Sequence, residues 1–239
     1  MRIGMICALS TESTPFAEVM EKAKISPITY PDVNGFTVTE WILGPSVENT
    51  SVFLITCGTG IIPSAAAAQL LIDKYSIDKM INYGVVGGLK RELKEGSVGY
   101  VKKVIKHDLD CTPFYKKYLY PEQKQDDWTA EDAFDMDNIG IDEFICASGD
   151  KVILAGDPKI NLQKETGADI CDMESASIVW VCRNAKVPLL IIKAISDGVD
   201  EDEEAFQANI RQGSKKCAEV VRKAIGIKYP NEENKEQEG

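Results

Sequence analysis

Residues 187–195 read Val-Pro-Leu-Leu-Ile-Ile-Lys-Ala-Ile, and only Lys193 interrupts their apolar character. A run this short and this continuous is the signature of a strand buried on both faces, as in a parallel sheet covered by helices. It leads into Ser196-Asp197-Gly198, so an acid stands where the strand gives way to a turn. In α/β sheets, ligands bind outside the carboxyl ends of strands, which makes Asp197 a site candidate. A second acidic stretch, Cys171-Asp172-Met173-Glu174-Ser175-Ala176, precedes an apolar helix carrying Trp180, Val181 and Cys182. Taken singly, Asp197 also reads as a turn or helix cap, and Glu174 as a first-turn helix acid.

The rest of the chain alternates strand and helix signals. Residues 2–9 form a buried strand, Ser10 and Thr11 are helix-start residues, and Glu12 falls in the first turn of a helix over 12–24. Residues 36–43 and 52–57 read as a hairpin with Pro45 and Asn49 in its connection. Gly58-Thr59-Gly60 is a glycine turn before an alanine-rich helix. It is no dinucleotide fingerprint, because the third glycine is missing. A strand over 79–83 is predicted to end at Gly84-Val85-Val86-Gly87-Gly88, whose backbone N–H groups would face a ligand. Further strands are predicted over 96–107, 144–147 and 168–172, and helices over 159–166, 175–183 and 205–225. The last helix turns Phe206, Ile210, Ala218, Val221 and Ala224 to the core. Residues 114–143 lack periodicity and carry Tyr115, Tyr118, Tyr120, Trp128 and Phe134, which suits a lid or an interface. The alternation predicts one α/β domain over residues 1–228 with a central sheet, and a polar, disordered tail over 229–239. Glu12, the two glycine stretches, Glu174 and Asp197 would then line one crevice.

The net charge of −11 argues against a nucleic-acid partner, which requires a basic face. Seven cysteines occur without C-x-x-C spacing, which predicts buried free thiols in a reducing compartment. No apolar run reaches the length of a membrane span, and no leader-like segment is visible. A cytoplasmic protein with no membrane contact is expected. His107 is the single histidine. With Asp108 and Asp110 it does not make up a metal-ligand set, so neither a metal nor a cofactor is expected.

Taken together, several motifs resemble one family. They are Ile3-Gly4-Met5-Ile6 through Glu12, Gly58-x-Gly60, Gly84-x-x-Gly87-Gly88-Leu89, His107-Asp108-x-Asp110-x-Thr112-x-Phe114, Ser148-Gly149-Asp150, Asp172-Met173-Glu174-Ser175-Ala176 and Ala194-Ile195-Ser196-Asp197. Their order and spacing resemble the bacterial methylthioadenosine/S-adenosylhomocysteine nucleosidases of the nucleoside phosphorylase superfamily. The resemblance implies a three-layer α/β/α sandwich with a central mixed β-sheet, a homodimer, and hydrolysis of a purine nucleoside to base and free sugar. It assigns proton donation to the leaving base to Asp197, oriented by Ser196, and activation of the attacking water to Glu12. It gives Glu174 the ribose hydroxyls and Met173 the underside of the ribose. Phe206 would lie over the base, Gly87 near the substrate, and Phe114 would reach the 5′ pocket of a partner subunit. Two positions depart from the family pattern: Val152 where an aromatic usually packs on the purine, and Val85 where a small hydroxyl residue is common. Lys151 adds a cation beside the presumed base loop. The alternatives are a phosphate-dependent phosphorylase and a nucleoside-binding regulator without turnover. Against the phosphorylase, the glycine stretches carry no arginine, although Lys90 and Arg91 lie just beyond one of them.

Overall fold

The structure is a computed structural model. It describes residues 1–44, 47, 49–112, 114, 115, 117, 118, 134, 136, 139–201, 203–230 and 232. In chain order the elements are β1 (Arg2–Cys7), α1 (Ser10–Lys22), β2 (Pro27–Val33), β3 (Phe36–Ile42), β4 (Ser51–Thr56), α2 (Ile61–Tyr75) and β5 (Lys79–Gly88). They continue as β6 (Val98–Lys106), β7 (Asp142–Ser148), α3 (Asp157–Thr166), β8 (Ile170–Asp172), α4 (Ser175–Ala185), β9 (Leu189–Asp197) and α5 (Glu203–Ile225).

The strands form one mixed sheet in the order β2-β3-β4-β1-β5-β8-β7-β6-β9, and β9 pairs again with β5. The second half of the sheet therefore closes on itself, while β2, β3 and β4 extend it as an open edge. β1 is parallel to β4 and β5, and β5 is parallel to β9. These are the central positions that the apolar runs of β1 and β9 demand. β8 runs antiparallel to β5 and parallel to β7.

Side chains alternate between the faces of each strand. Leu190, Ile192 and Ala194 of β9 join Phe16, Val19 and Met20 of α1 and Cys217, Ala218 and Val221 of α5 in one apolar cluster. Leu189, Ile191 and Ile195 join Ala67, Ala68 and Leu71 of α2 and Ile178, Val179 and Cys182 of α4 in another. Helices α1 and α5 pack on each other, as do α2 and α4. The result is an α/β sandwich with helices on either side of the mixed sheet. By parity Lys193 falls with Ile191 and Ile195 on the second face, buried at 2 % exposure.

Two features differ from the sequence expectation. The strand predicted to end at Tyr83 continues to Gly88 as β5, so Gly84, Gly87 and Gly88 lie in a sheet and not in a turn. Cross-strand partners on β9 and β8 hold the chain extended through the glycines. Strand β2 was not anticipated; it pairs antiparallel with β3, and its register shifts between Tyr30 and Val33. As expected, helix α2 begins at Ile61, immediately after Gly60. Within the aromatic segment, the Lys79 ammonium lies 4.7 Å from the Phe134 ring centroid, while Tyr120 and Trp128 lie outside the described residues. At the start of the polar tail, the Tyr229 hydroxyl bonds Glu219 and the Arg222 guanidinium bonds Glu232. Residues 233–239 lie outside the described residues. No described helix is long and apolar enough to cross a membrane.

Candidate active site

Glu12 stands in the first turn of α1, and Leu9 is that helix's N-cap. Its Oε2 accepts the backbone N–H of Ala8 at 3.0 Å and of Leu9 at 2.9 Å, and its Oε1 accepts that of Val85 at 2.9 Å. Three donors on a carboxylate with about four lone-pair positions leave one acceptor position, on Oε1. The carboxylate is 4 % exposed. Burial pushes its pKa up, opposed by Lys193 and by the three N–H groups, and the net shift is upward. Gly84 is required here, because a Cβ at that position would overlap the Glu12 carboxylate.

Asp172, Glu174 and Lys193 form the buried charge cluster beneath. Lys193 Nζ lies 2.9 Å from Asp172 Oδ2, with the two side chains 3 % and 2 % exposed. Asp172 also accepts the Ser175 hydroxyl and, at 3.3 Å, the Ser175 N–H. Burial alone would raise the Asp172 pKa, but Lys193 and the hydroxyls more than offset it, so it lies below the usual carboxylate range. Lys193 is correspondingly held above the ordinary lysine value: burial works against its charge, and Asp172, Glu174 and Glu12 outweigh it. Glu174 Oε1 accepts the Gly60 N–H at 2.8 Å. Burial, followed by the neighbouring Asp172 charge, pushes its pKa up to about 7.

Asp197 ends β9 and carries two partners. Ser196 Oγ is 2.6 Å from Asp197 Oδ1 and 3.1 Å from the Val86 carbonyl oxygen. Lys159 Nζ is 2.5 Å from Asp197 Oδ2. Ser196, expected to orient Asp197, is thus placed in hydrogen-bond contact with it; the sequence offers no counterpart for the lysine.

A cavity of about 800 Å³ gathers Glu12, Val85, Gly87, Lys151, Val152 and Asp197 with Met173, Glu174 and Phe206, a size suited to a small-molecule ligand. Ser196 is fully buried behind Asp197. Phe114 is 84 % exposed and does not line this cavity. Cys171 does line it, but burial pushes its thiol up to about 12, which removes a thiolate nucleophile at neutral pH. Among the described residues no cluster suited to a metal ion occurs. His107 Nε2 is buried without a partner, and Asp108 is held by Lys106 and by the Asp150 N–H at 2.8 Å.

Sequence reasoning passed over Lys193 and Lys159. A signal existed for the first: a lone charge inside an otherwise apolar strand must be paired. For Lys159, in the first turn of an ordinary-looking helix, no sequence signal exists.

The Glu174 environment makes a prediction about stability. Its folded pKa of about 7 exceeds the ordinary 4.5, so the folded state holds this proton more tightly than the unfolded chain. Its contribution is fully present below about 4.5 and is lost as pH rises through about 7. Glu174→Gln keeps an acceptor for Gly60 and removes the titration. The variant should gain about 1–3 kcal/mol relative to wild type between pH 5 and pH 8. Urea denaturation at both pH values checks this, and the same pH dependence in both proteins would refute it.

The phosphorylase superfamily model matches residues 2–226. A 5′-methylthioadenosine/S-adenosylhomocysteine nucleosidase of Bacillus subtilis is 29% identical over 94% of this chain and 98% of its own length. One from Buchnera aphidicola subsp. Schizaphis graminum is 30% identical over 93% and 95%. An aminodeoxyfutalosine nucleosidase of Campylobacter jejuni is 28% identical over 85% and 89%. Among solved structures, a futalosine hydrolase of Helicobacter pylori superposes with a TM-score of 0.84 at 22% identity, over 94% of this chain and 97% of the other. With sequence match, sheet order and cavity in agreement, the chain belongs to the methylthioadenosine/S-adenosylhomocysteine nucleosidase family of the phosphorylase superfamily.

Proposed function

We propose that this protein is an N-glycosyl hydrolase that cleaves a purine nucleoside to base and free sugar, with 5′-methylthioadenosine and S-adenosylhomocysteine as substrates. The observation that carries the reading is that Glu12 and Asp197, from different strand ends, line the same cavity. Breaking the bond to C1′ leaves an oxocarbenium-like sugar and an electron-rich base. Asp197 gives its proton to a ring nitrogen of that base. Glu12 uses its remaining acceptor position to orient a water and take its proton as the oxygen bonds to C1′. An upward-shifted carboxyl suits a general base working near neutral pH. Glu174, with a pKa of about 7, exists in both forms near neutrality and can bond ribose hydroxyls as acceptor or donor. Met173 lies beneath the sugar and Phe206 covers the base.

Hydrolysis is favoured over phosphorolysis by the cavity's charges. Its described lining contains no arginine, and Lys151 is its one cation. Lys90 and Arg91, the cations that could have served phosphate, are bound to Asp169 and Asp200. In phosphate-free buffer the protein should release free sugar. Glu12→Gln and Asp197→Asn should each lose about 10²–10⁴-fold in kcat while remaining folded. A requirement for phosphate, with sugar 1-phosphate as product, would refute the hydrolase reading. Near-wild-type turnover in either variant would remove that residue from the mechanism.

A homodimer is part of the same proposal. Phe114 and Tyr115 are 84 % and 51 % exposed, large aromatics of the kind that interfaces enrich. Phe114 of one subunit would complete the 5′ pocket of the other. Sedimentation should give a dimer at micromolar concentration, and Phe114→Ala should raise KM with little change in kcat. A fully active monomer contradicts this.

Base specificity rests on Val152, which lines the cavity and is 66 % exposed. An aliphatic side chain offers no ring face, whereas base–aromatic stacking contributes about 1–3 kcal/mol. Purine binding should therefore be weaker and other bases better tolerated than with an aromatic there. Val152→Phe should lower the KM for 5′-methylthioadenosine about tenfold, equivalent to about 1.4 kcal/mol, and should not do so for inosine. An unchanged KM in a folded variant would take Val152 off the base wall.

A further inference from the structure

Lys159 is buried at 1 % exposure in the first turn of α3. Nothing about the helix explains it. A cation at a helix N-terminus opposes the macrodipole, and burying an ammonium costs several kcal/mol unless it is paired. Its partners all lie at the end of β9: Asp197 Oδ2 at 2.5 Å, the Gly198 carbonyl oxygen at 2.5 Å and the Asp197 carbonyl oxygen at 3.4 Å. Three acceptors match the three ammonium hydrogens. The side chain passes against Gly87, where an added Cβ would sit 3.4 Å from both Lys159 Cε and Asp197 Oδ2. Lys159 does not line the cavity, so it reaches a substrate only through Asp197.

Asp197 is thus held at both oxygens, by Lys159 on Oδ2 and by Ser196 on Oδ1. Ser196 has one hydrogen and two nearby acceptors, Asp197 Oδ1 and the Val86 carbonyl. When Asp197 is ionised, the hydroxyl donates to it. When Asp197 carries a proton on Oδ1, the hydroxyl can turn to Val86 and accept. Both protonation states of the acid are therefore accommodated without moving it.

We propose that Lys159 is a positioning residue for proton delivery to the leaving base. It rests on the reading of Asp197 as the acid. In the step it serves, the bond from the base nitrogen to C1′ breaks with its electrons going to the base. A base nitrogen takes the Asp197 proton, water oxygen bonds to C1′, and the proton of that water passes to Glu12. Asp197 is left as a carboxylate 2.5 Å from a fixed ammonium, which stabilises the charge that develops there during reaction.

The test uses two leaving groups. 5′-Methylthioadenosine needs its base protonated; a p-nitrophenyl riboside leaves as a stable anion and needs no acid. Lys159→Met should lower kcat on 5′-methylthioadenosine by about 10–100-fold, a fraction of what a general acid contributes, with KM nearly unchanged. Its rate on the p-nitrophenyl riboside should stay within about threefold of wild type, as should that of Asp197→Asn, since neither then serves the leaving group. In the Asp197→Asn background, Lys159→Met should cost little more, because groups acting as a unit are non-additive. Lys159→Gln, which keeps hydrogen bonds and loses the charge, is the second variant if the methionine fails to fold, and the same pattern is expected. Equal losses on both substrates, or a full additional loss on top of Asp197→Asn, would make Lys159 a structural strap and overturn the proposal. A wild-type protein that cleaves neither substrate would instead overturn the nucleosidase reading.

Discussion

The buried pair between Lys193 and Asp172 is the interaction on which the rest of the site depends. Glu174 lies within electrostatic reach of both Asp172 and Glu12 in the interior, and Lys193 within reach of all three. Without a counter-charge they would repel and would be protonated or expelled. Lys193 supplies that charge from the centre of β9, at 2 % exposure. Its effect is unequal: Asp172, in direct contact, is held in its ionised form, whereas at Glu174 and Glu12 burial outweighs the lysine and the net shift is upward. One buried cation thus holds the carboxyl it touches below the usual range, while burial shifts the other two upward, a separation of the kind that acid–base chemistry uses.

Much of this arrangement was legible in the sequence. The apolar run before Asp197 specified a central strand, and the acids at strand ends pointed to the crevice. Glu12, Glu174 and Asp197 do line one cavity with Met173, Val152 and Phe206. What could not be read is which charges meet. Lys193 is visible as an anomaly in an apolar strand, but its partner sits on β8, reached through the β5–β8 and β5–β9 pairings. Lys159 lies 38 residues from Asp197 on a helix with unremarkable composition. Pairings of this kind depend on sheet closure, which no local pattern encodes.

The glycines of β5 were misread for a related reason. A cluster of glycines after an apolar run suggests a turn when only local propensity is considered. Here cross-strand pairing keeps the chain extended, and glycine stands at these positions because other elements come too close for side chains. The Glu12 carboxylate lies against Gly84, and Cys171, Asp197 and Lys159 surround Gly87. The missing Cβ atoms are an imprint of the site on the strand. Glycine at such a position reports close approach by a functional group as readily as it reports a bend.

Glu12 shows why the structural and chemical readings of a single residue need not compete. As the third residue of α1, it accepts the Leu9 N–H and relieves an unpaired donor at the helix start. The same geometry fixes its carboxylate with three backbone bonds, so no side-chain freedom is left to lose when substrate arrives. For the general-base role proposed above, a carboxylate held this way is preorganised by its own helix terminus, and its remaining acceptor position on Oε1 is set by the Val85 N–H beside it. Burial favours the neutral form, Lys193 and the backbone N–H groups favour the ionised one, and burial prevails. A capping role therefore does not argue against the catalytic role proposed for this position; it fixes which lone pair of the carboxylate faces outward from the helix terminus.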